Sequence, residues 1–153
     1  MAVTIEEIRK WLDPEEVDYP TAAAQLGPEA LPHLEELVRS PDLMLASKAV
    51  YLASLIRGEL TARILDHAIS RPEGALRVAA AAGLKHFGED EAGPLMERLL
   101  TDQDVGVRKT ALKSASVFSS PVIREKLLHA MERETDPGIR ELATRLLDTP
   151  VSR

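Results

Sequence analysis

Residues 101–112, TDQDVGVRKTAL, set Asp102, Asp104, Arg108 and Lys109 around Gly106, and a glycine there lets backbone approach a ligand closely. Carboxylates beside cations are the material of acid–base or anion chemistry. Four histidines, His33, His67, His86 and His129, are the candidate metal ligands or proton carriers. His86 with Glu89, and His129 with Glu132, stand three residues apart, which places each pair on one helix face. No further ligand converges on either pair, whereas a metal site needs three or four, so no metal or other cofactor is expected. Ser119 and Ser120 precede Pro121, where a helix should end, and the chain has neither a GxSxG elbow nor a glycine-rich phosphate loop. The absence of cysteine removes disulfides, thiolate metal sites and cysteine nucleophiles.

Aligning the chain with itself shows what positions these residues. Leu45, Leu76, Val107 and Ile139 recur at intervals of 31, 31 and 32, and Ala49, Ala80, Ala111 and Ala143 follow at the same intervals. Ile56, Phe87 and Phe118 form a third column; Gly27, Gly58, Gly88 and Ser119 form a fourth. A fixed period of this length is the mark of stacked repeats. Counted from the alanine, the apolar positions fall at −4, 0, +3, +4 and +7, one face of a helix. The alanine is small because bulk there would hold the adjacent helix away. Helix pairs are predicted at 29–39 with 43–57, 60–70 with 74–87, 92–101 with 105–118, and 121–134 with 138–148. The fourth column should end second helices as left-handed caps. Pro32, Pro94 and Pro121 suit first-turn positions of first helices.

The 101–112 stretch is therefore one copy of a repeated turn. Asp42, Glu73, Asp104 and Asp136 form a carboxylate column placed to accept from free amides at the start of each second helix. Arg77, Arg108 and Arg140 form an arginine column that Ala46 interrupts, able to reach carboxylates of neighbouring turns and tie repeats together. At the amino terminus, Thr4 and Glu7 make a capping box for a helix carrying Ile5, Ile8, Trp11 and Leu12 on one face. The last helix has a polar outer side, so the stack is expected to be closed at both ends, with Leu142 and Leu147 as apolar surface for a weak dimer. The expected fold is all-α: a right-handed α-solenoid of helical hairpins forming a single domain over 1–153, with an amino-terminal cap at 1–27 and repeats at 28–58, 59–88, 89–119 and 120–149.

The segment GLKHFGEDEAGPLMERLLTDQDVGVRKTAL, residues 83–112, resembles the short HEAT-like repeats of the phycobilin-lyase type. The likeness lies in a leucine and glycine closing one unit, an acidic linker, a proline-leucine helix, an aspartate-rich turn, then valine-arginine and a spaced alanine. It runs over about residues 22–148 and implies a fold more than a function. Deoxyhypusine hydroxylase, a HEAT-repeat enzyme, holds iron with paired His-Glu dipeptides, and this chain has none. A HEAT-like DNA glycosylase would be longer and basic in its groove. Nothing marks a chromophore pocket.

What remains is surface. The net charge of −6 disfavours non-specific nucleic-acid binding, which depends on neutralising phosphates. No stretch reaches the roughly 20 apolar residues that cross a bilayer, and no signal peptide opens the chain, so a cytoplasmic protein without membrane or nucleic-acid partners is expected. The helices at 43–57, 74–86 and 105–117 contain no acidic residue. Their outward positions, expected to line the concave face, include Ser47, Tyr51 and Ser54; Val78, Ala82 and Lys85; Lys109, Lys113 and Ser116; and in the last helix Glu141, Arg145 and Asp148. Tyr51, Lys85, Lys109, Lys113 and Arg145 compose the expected partner-binding patch, with Tyr51 as its exposed aromatic. The functional expectation is a non-enzymatic scaffold or adaptor, monomeric or weakly dimeric, that binds another protein with an acidic segment. The alternative is an accessory subunit of a lyase or a cofactor-maturation enzyme.

Overall fold

A computed structural model describes residues 2–147. Among these, the regular structure is helical throughout, in ten α-helices: α1 (Ile5–Leu12), α2 (Tyr19–Leu26), α3 (Leu31–Leu37), α4 (Leu43–Ser54), α5 (Glu59–Ile69), α6 (Gly74–Gly83), α7 (Glu89–Leu100), α8 (Val105–Ala115), α9 (Pro121–Arg133) and α10 (Pro137–Leu147). Short 3₁₀ turns at Pro28–Ala30 and Leu84–His86 lead into α3 and prolong α6. The helices pair as hairpins that stack into two layers. First helices α3, α5, α7 and α9 pack in series on one side, and second helices α4, α6, α8 and α10 on the other. Helices α1 and α2 lie against α3 and α4 as a further hairpin at the amino-terminal end. This is an α-solenoid.

The core follows the period read from the sequence. Ala49, Ala80 and Ala111 are fully buried between neighbouring second helices, with Leu76 and Val107 beside them. The layer of second helices is tight enough that even an alanine methyl is excluded at one point. A Cβ placed on Gly83 would lie 2.5 Å from Ser54 Cβ and 2.6 Å from its Oγ. Ser54 is buried, with its hydroxyl donating to the Tyr51 carbonyl at 2.6 Å, so the outward position predicted for it is in fact interhelical. Ser114 similarly donates to the Ala82 carbonyl at 3.0 Å, joining α8 to α6.

Several boundaries differ from the sequence reading, each for a local reason. Gly58 has an extended φ of 179° and Gly88 a φ of −71°, so neither is a left-handed cap; both precede the next first helix as its N-cap. Only Gly27 in that column has a positive φ, 66° with ψ −172°, a region open essentially to glycine alone. Helix α7 begins at Glu89 rather than 92, because Glu89, Asp90 and Glu91 favour its positive end, and Pro94 therefore lies inside the helix. Ser120 caps α9 by accepting from the Ile123 amide at 3.4 Å. Leu142 and Leu147, expected as apolar surface, are buried, and the Leu147 carbonyl accepts from Arg124 of α9. Residue 148, the predicted end of the last helix, lies outside the described residues.

Candidate binding surface

The turns between paired helices are built to a common plan. Asp42 Oδ1 accepts from the Met44 and Leu45 amides at 3.1 and 3.2 Å; Asp104 Oδ1 accepts from Gly106 and Val107 at 2.7 and 3.4 Å; Asp136 Oδ2 accepts from Ile139 at 2.9 Å. Glu73 departs from this column. It occupies the N-cap position of α6 but makes no capping bond, because its longer side chain pairs with Arg71 at 2.9–3.0 Å. That hydrogen bond, above all, holds the Glu73 carboxyl below the ordinary carboxylate range.

Arg77 and Arg108 each connect their own turn to the next one. Arg77 Nη1 donates to the Arg71 and Pro72 carbonyls of its own turn, while Nε and Nη2 grip Asp102 of the next turn at 2.8 and 3.3 Å. Arg108 Nη1 donates to the Asp102 carbonyl, while Nε and Nη2 grip Glu134 at 2.9 and 3.1 Å. Arg140 Nη1 donates to the Glu134 carbonyl at 2.8 Å and, more weakly, to Met131. Both carboxylate pairs are largely sequestered: side-chain exposure is 9% for Arg77 and Asp102, 15% for Arg108 and 2% for Glu134. Burial pushes the Glu134 carboxyl upward, but the Arg108 hydrogen bond and the Asp136 amide outweigh it and leave Glu134 below its ordinary value. The accepting residues Asp102 and Glu134 form a second carboxylate column, each two residues before an N-cap aspartate, and they were missed in the sequence because Arg71 stands at the same place in the preceding turn.

A third set of ion pairs joins the outer layer. Arg63 binds Glu35 at 2.7 Å, Arg98 binds Asp66, and Lys126 binds Glu97, so Glu35, Asp66 and Glu97, spaced by 31, each meet a cation of the next first helix. The cations of the second-helix layer are used differently. Lys85, Lys109 and Lys113 are exposed and have no carboxylate partner among the described residues. Arg145 is also exposed and makes an interaction of its own. Lys48 is spent internally, donating to the Leu12 and Pro14 carbonyls at 2.9 Å and so anchoring the end of α1.

Tyr51 is not the exposed aromatic that its spacing suggests. It is half-buried, edge-on to Tyr19 with ring centroids 4.7 Å apart, and its hydroxyl lies 3.0 Å from His86 Nε2. Burial, then the neighbouring Lys85, lowers the His86 pKa; burial, then Tyr51, raises that of Tyr19. The partner residue 35 positions away is what the sequence could not reveal. On the opposite layer, a surface hollow of about 1020 Å³ opens between α7 and α9, with Glu97, Leu100, Lys126 and Leu128 in its lining. Beside it Ala130 and Met131 are only partly buried, whereas Leu99 and Leu100, one repeat earlier, are covered. Among the described residues no three His, Asp or Glu side chains converge as a metal site would require, and no helix is long and apolar enough to cross a membrane.

The family model described as HEAT repeats matches residues 61–148, more than half of the chain. The chain belongs to the HEAT-repeat family. The match covers the hairpins from α5 to α10, which include both filled arginine–carboxylate rungs and the three unpaired lysines. The hairpins α1–α4 precede it with the same layering but without those rungs, since Ala46 stands where the arginine would be. Among curated proteins nothing matches the chain. HEAT repeats commonly mediate protein–protein interaction.

Proposed function

We propose that this HEAT-repeat protein is a non-enzymatic scaffold that binds a partner protein through the exposed face of its second helices, the concave face of the solenoid, and that the bound segment is acidic. The observation carrying this reading is the contrast between its two sets of cations. Arg63, Arg77, Arg98 and Arg108 are each held by a carboxylate of the same chain, whereas Lys85, Lys109 and Lys113, on or just after helices α6 and α8 that contain no acid, have none among the described residues. Unpaired charge of one sign on a rigid surface steers an oppositely charged partner and selects against like-charged ones. A preformed stack also loses little entropy when it binds. Tyr51 contributes as a fixed edge of this surface, held by Tyr19 and His86.

The test is affinity capture from the native lysate with three baits: wild type, the Lys109→Glu/Lys113→Glu double variant, and Leu128→Asp on the opposite layer. A protein retained by wild type and by Leu128→Asp but lost from the lysine variant, with the melting temperature unchanged, is the expected result. Retention by the lysine variant together with loss from Leu128→Asp would move the binding site to the hollow between α7 and α9.

A further inference from the structure

The arginine rungs run in one direction. An arginine four residues after the N-cap of one second helix grips a carboxylate two residues before the N-cap of the next: Arg77 to Asp102, then Arg108 to Glu134. The third arginine, Arg140, stands at the same place after Asp136 and makes the same Nη1 contact to its own turn. Its Nε and Nη2, the atoms that hold a carboxylate in the other two rungs, bond nothing among the described residues, and its side chain is exposed. The guanidinium is thus oriented for a carboxylate from a hairpin stacked on α10.

Two residues before the N-cap Asp18 of α2, the amino-terminal hairpin carries Glu16. Glu16 is exposed and has no hydrogen bond or ion pair within the described residues. Where a rung is missing inside the stack, both halves are missing: Ala22 and Ser40 face one another in the pattern, as do Ala46 and Arg71. Among the described residues, Arg140 and Glu16 are the two halves that lack a partner, one in the last hairpin and one in the first. We infer that a second copy of this chain stacks head to tail, with Arg140 of one copy gripping Glu16 of the next and continuing the ladder between molecules. Glu16 lines a small hollow of about 330 Å³ together with Lys10, Trp11, Pro14 and Asp18, so the incoming guanidinium meets two carboxylates, one ammonium and an aromatic face there. The contact is heterologous, so copies add head to tail and do not pair as a symmetric two-fold dimer.

Sedimentation velocity of the full chain from micromolar to millimolar concentration tests this. Wild type should show a weight-average mass that climbs without levelling at a dimer. Glu16→Arg and Arg140→Glu should each weaken association by at least about tenfold, because like charges then meet at the junction. Mixing the two variants should restore it, since every junction then joins an arginine to a glutamate. Glu16→Arg touches no internal contact, and thermal melting of Arg140→Glu confirms its folding before the mixture is read. A wild type that stays monomeric to millimolar concentration, a plateau at dimer, association unchanged in both variants, or a mixture that fails to associate would each overturn the inference.

Discussion

At single residues, the consequences of this packing are sharpest where two elements share very little space. Gly83→Ala should lower stability by about 1–3 kcal/mol, although alanine ordinarily gains about 1 kcal/mol over glycine inside a helix, because its Cβ would meet Ser54 at 2.5 Å. Thermal melts of the single variant and of Gly83→Ala/Ser54→Gly provide the check: the second change should recover most of the loss. Arg108→Ala should cost about 2–4 kcal/mol, since it leaves the Glu134 carboxylate buried without its cation. The pH dependence is fixed in sign. The folded pKa of Glu134 is lowered, so its contribution is complete above the unfolded value of about 4.3 and is lost as pH falls through the folded value. Wild type and Glu134→Gln should accordingly converge in stability at low pH, as urea titrations across that range would show. The arginine side of each rung was legible because Arg77 and Arg108 recur at the repeat period. The carboxylate side was not, because from α3 onward its column reads Ser40, Arg71, Asp102 and Glu134, and of these four only the two that face an arginine are acidic.

For whole helices, the repeat period was legible in the buried alanines and branched residues, and the helix ends were not. A glycine before a helix and a glycine after one look the same in a sequence; Gly58 and Gly88 serve the following helix because their φ values are not left-handed. Pro94 sits within α7 and removes a hydrogen bond to the Asp90 carbonyl that the helix would otherwise make. Pro94→Ala should therefore raise stability, by about 1–3 kcal/mol, and a melting temperature at or below that of wild type would contradict the helix start at Glu89. The junction of α2, α4 and the 3₁₀ turn after α6 depends on His86 remaining neutral. Its folded pKa is lowered, so the unfolded chain takes up the proton first, and stability present above about 6.5 declines as pH falls through the folded value. His86→Gln should keep a hydrogen-bonding group near Tyr51 and flatten part of that decline, with His67, also lowered chiefly by burial, accounting for another part.

Across the whole molecule, stability is distributed along the stack and each hairpin depends on its neighbours. Helix α9 buries only Ile123 and Leu127, whereas α7 buries six residues, so amide hydrogen exchange should be faster in α9 than in α7. Equal protection of both would show that the hollow between them does not loosen the stack. The solenoid itself was legible from spacing alone, because a 31-residue period admits few other solutions. The location of a binding surface was less so: spacing distinguishes a core position from an outward one but does not reveal that Tyr51 and Ser54 are turned to intramolecular contacts. The aromatic residues also fix how the molecule can be observed. The single tryptophan and both tyrosines, Trp11, Tyr19 and Tyr51, lie within α1, α2 and α4, and beyond them the only aromatic rings besides histidine are Phe87 and Phe118. Near-ultraviolet dichroism and intrinsic fluorescence are therefore gauges of the amino-terminal hairpins, almost blind to α7–α10. A loss of near-ultraviolet signal with far-ultraviolet ellipticity intact would imitate a molten globule, yet report only that the first hairpin had detached from a folded remainder.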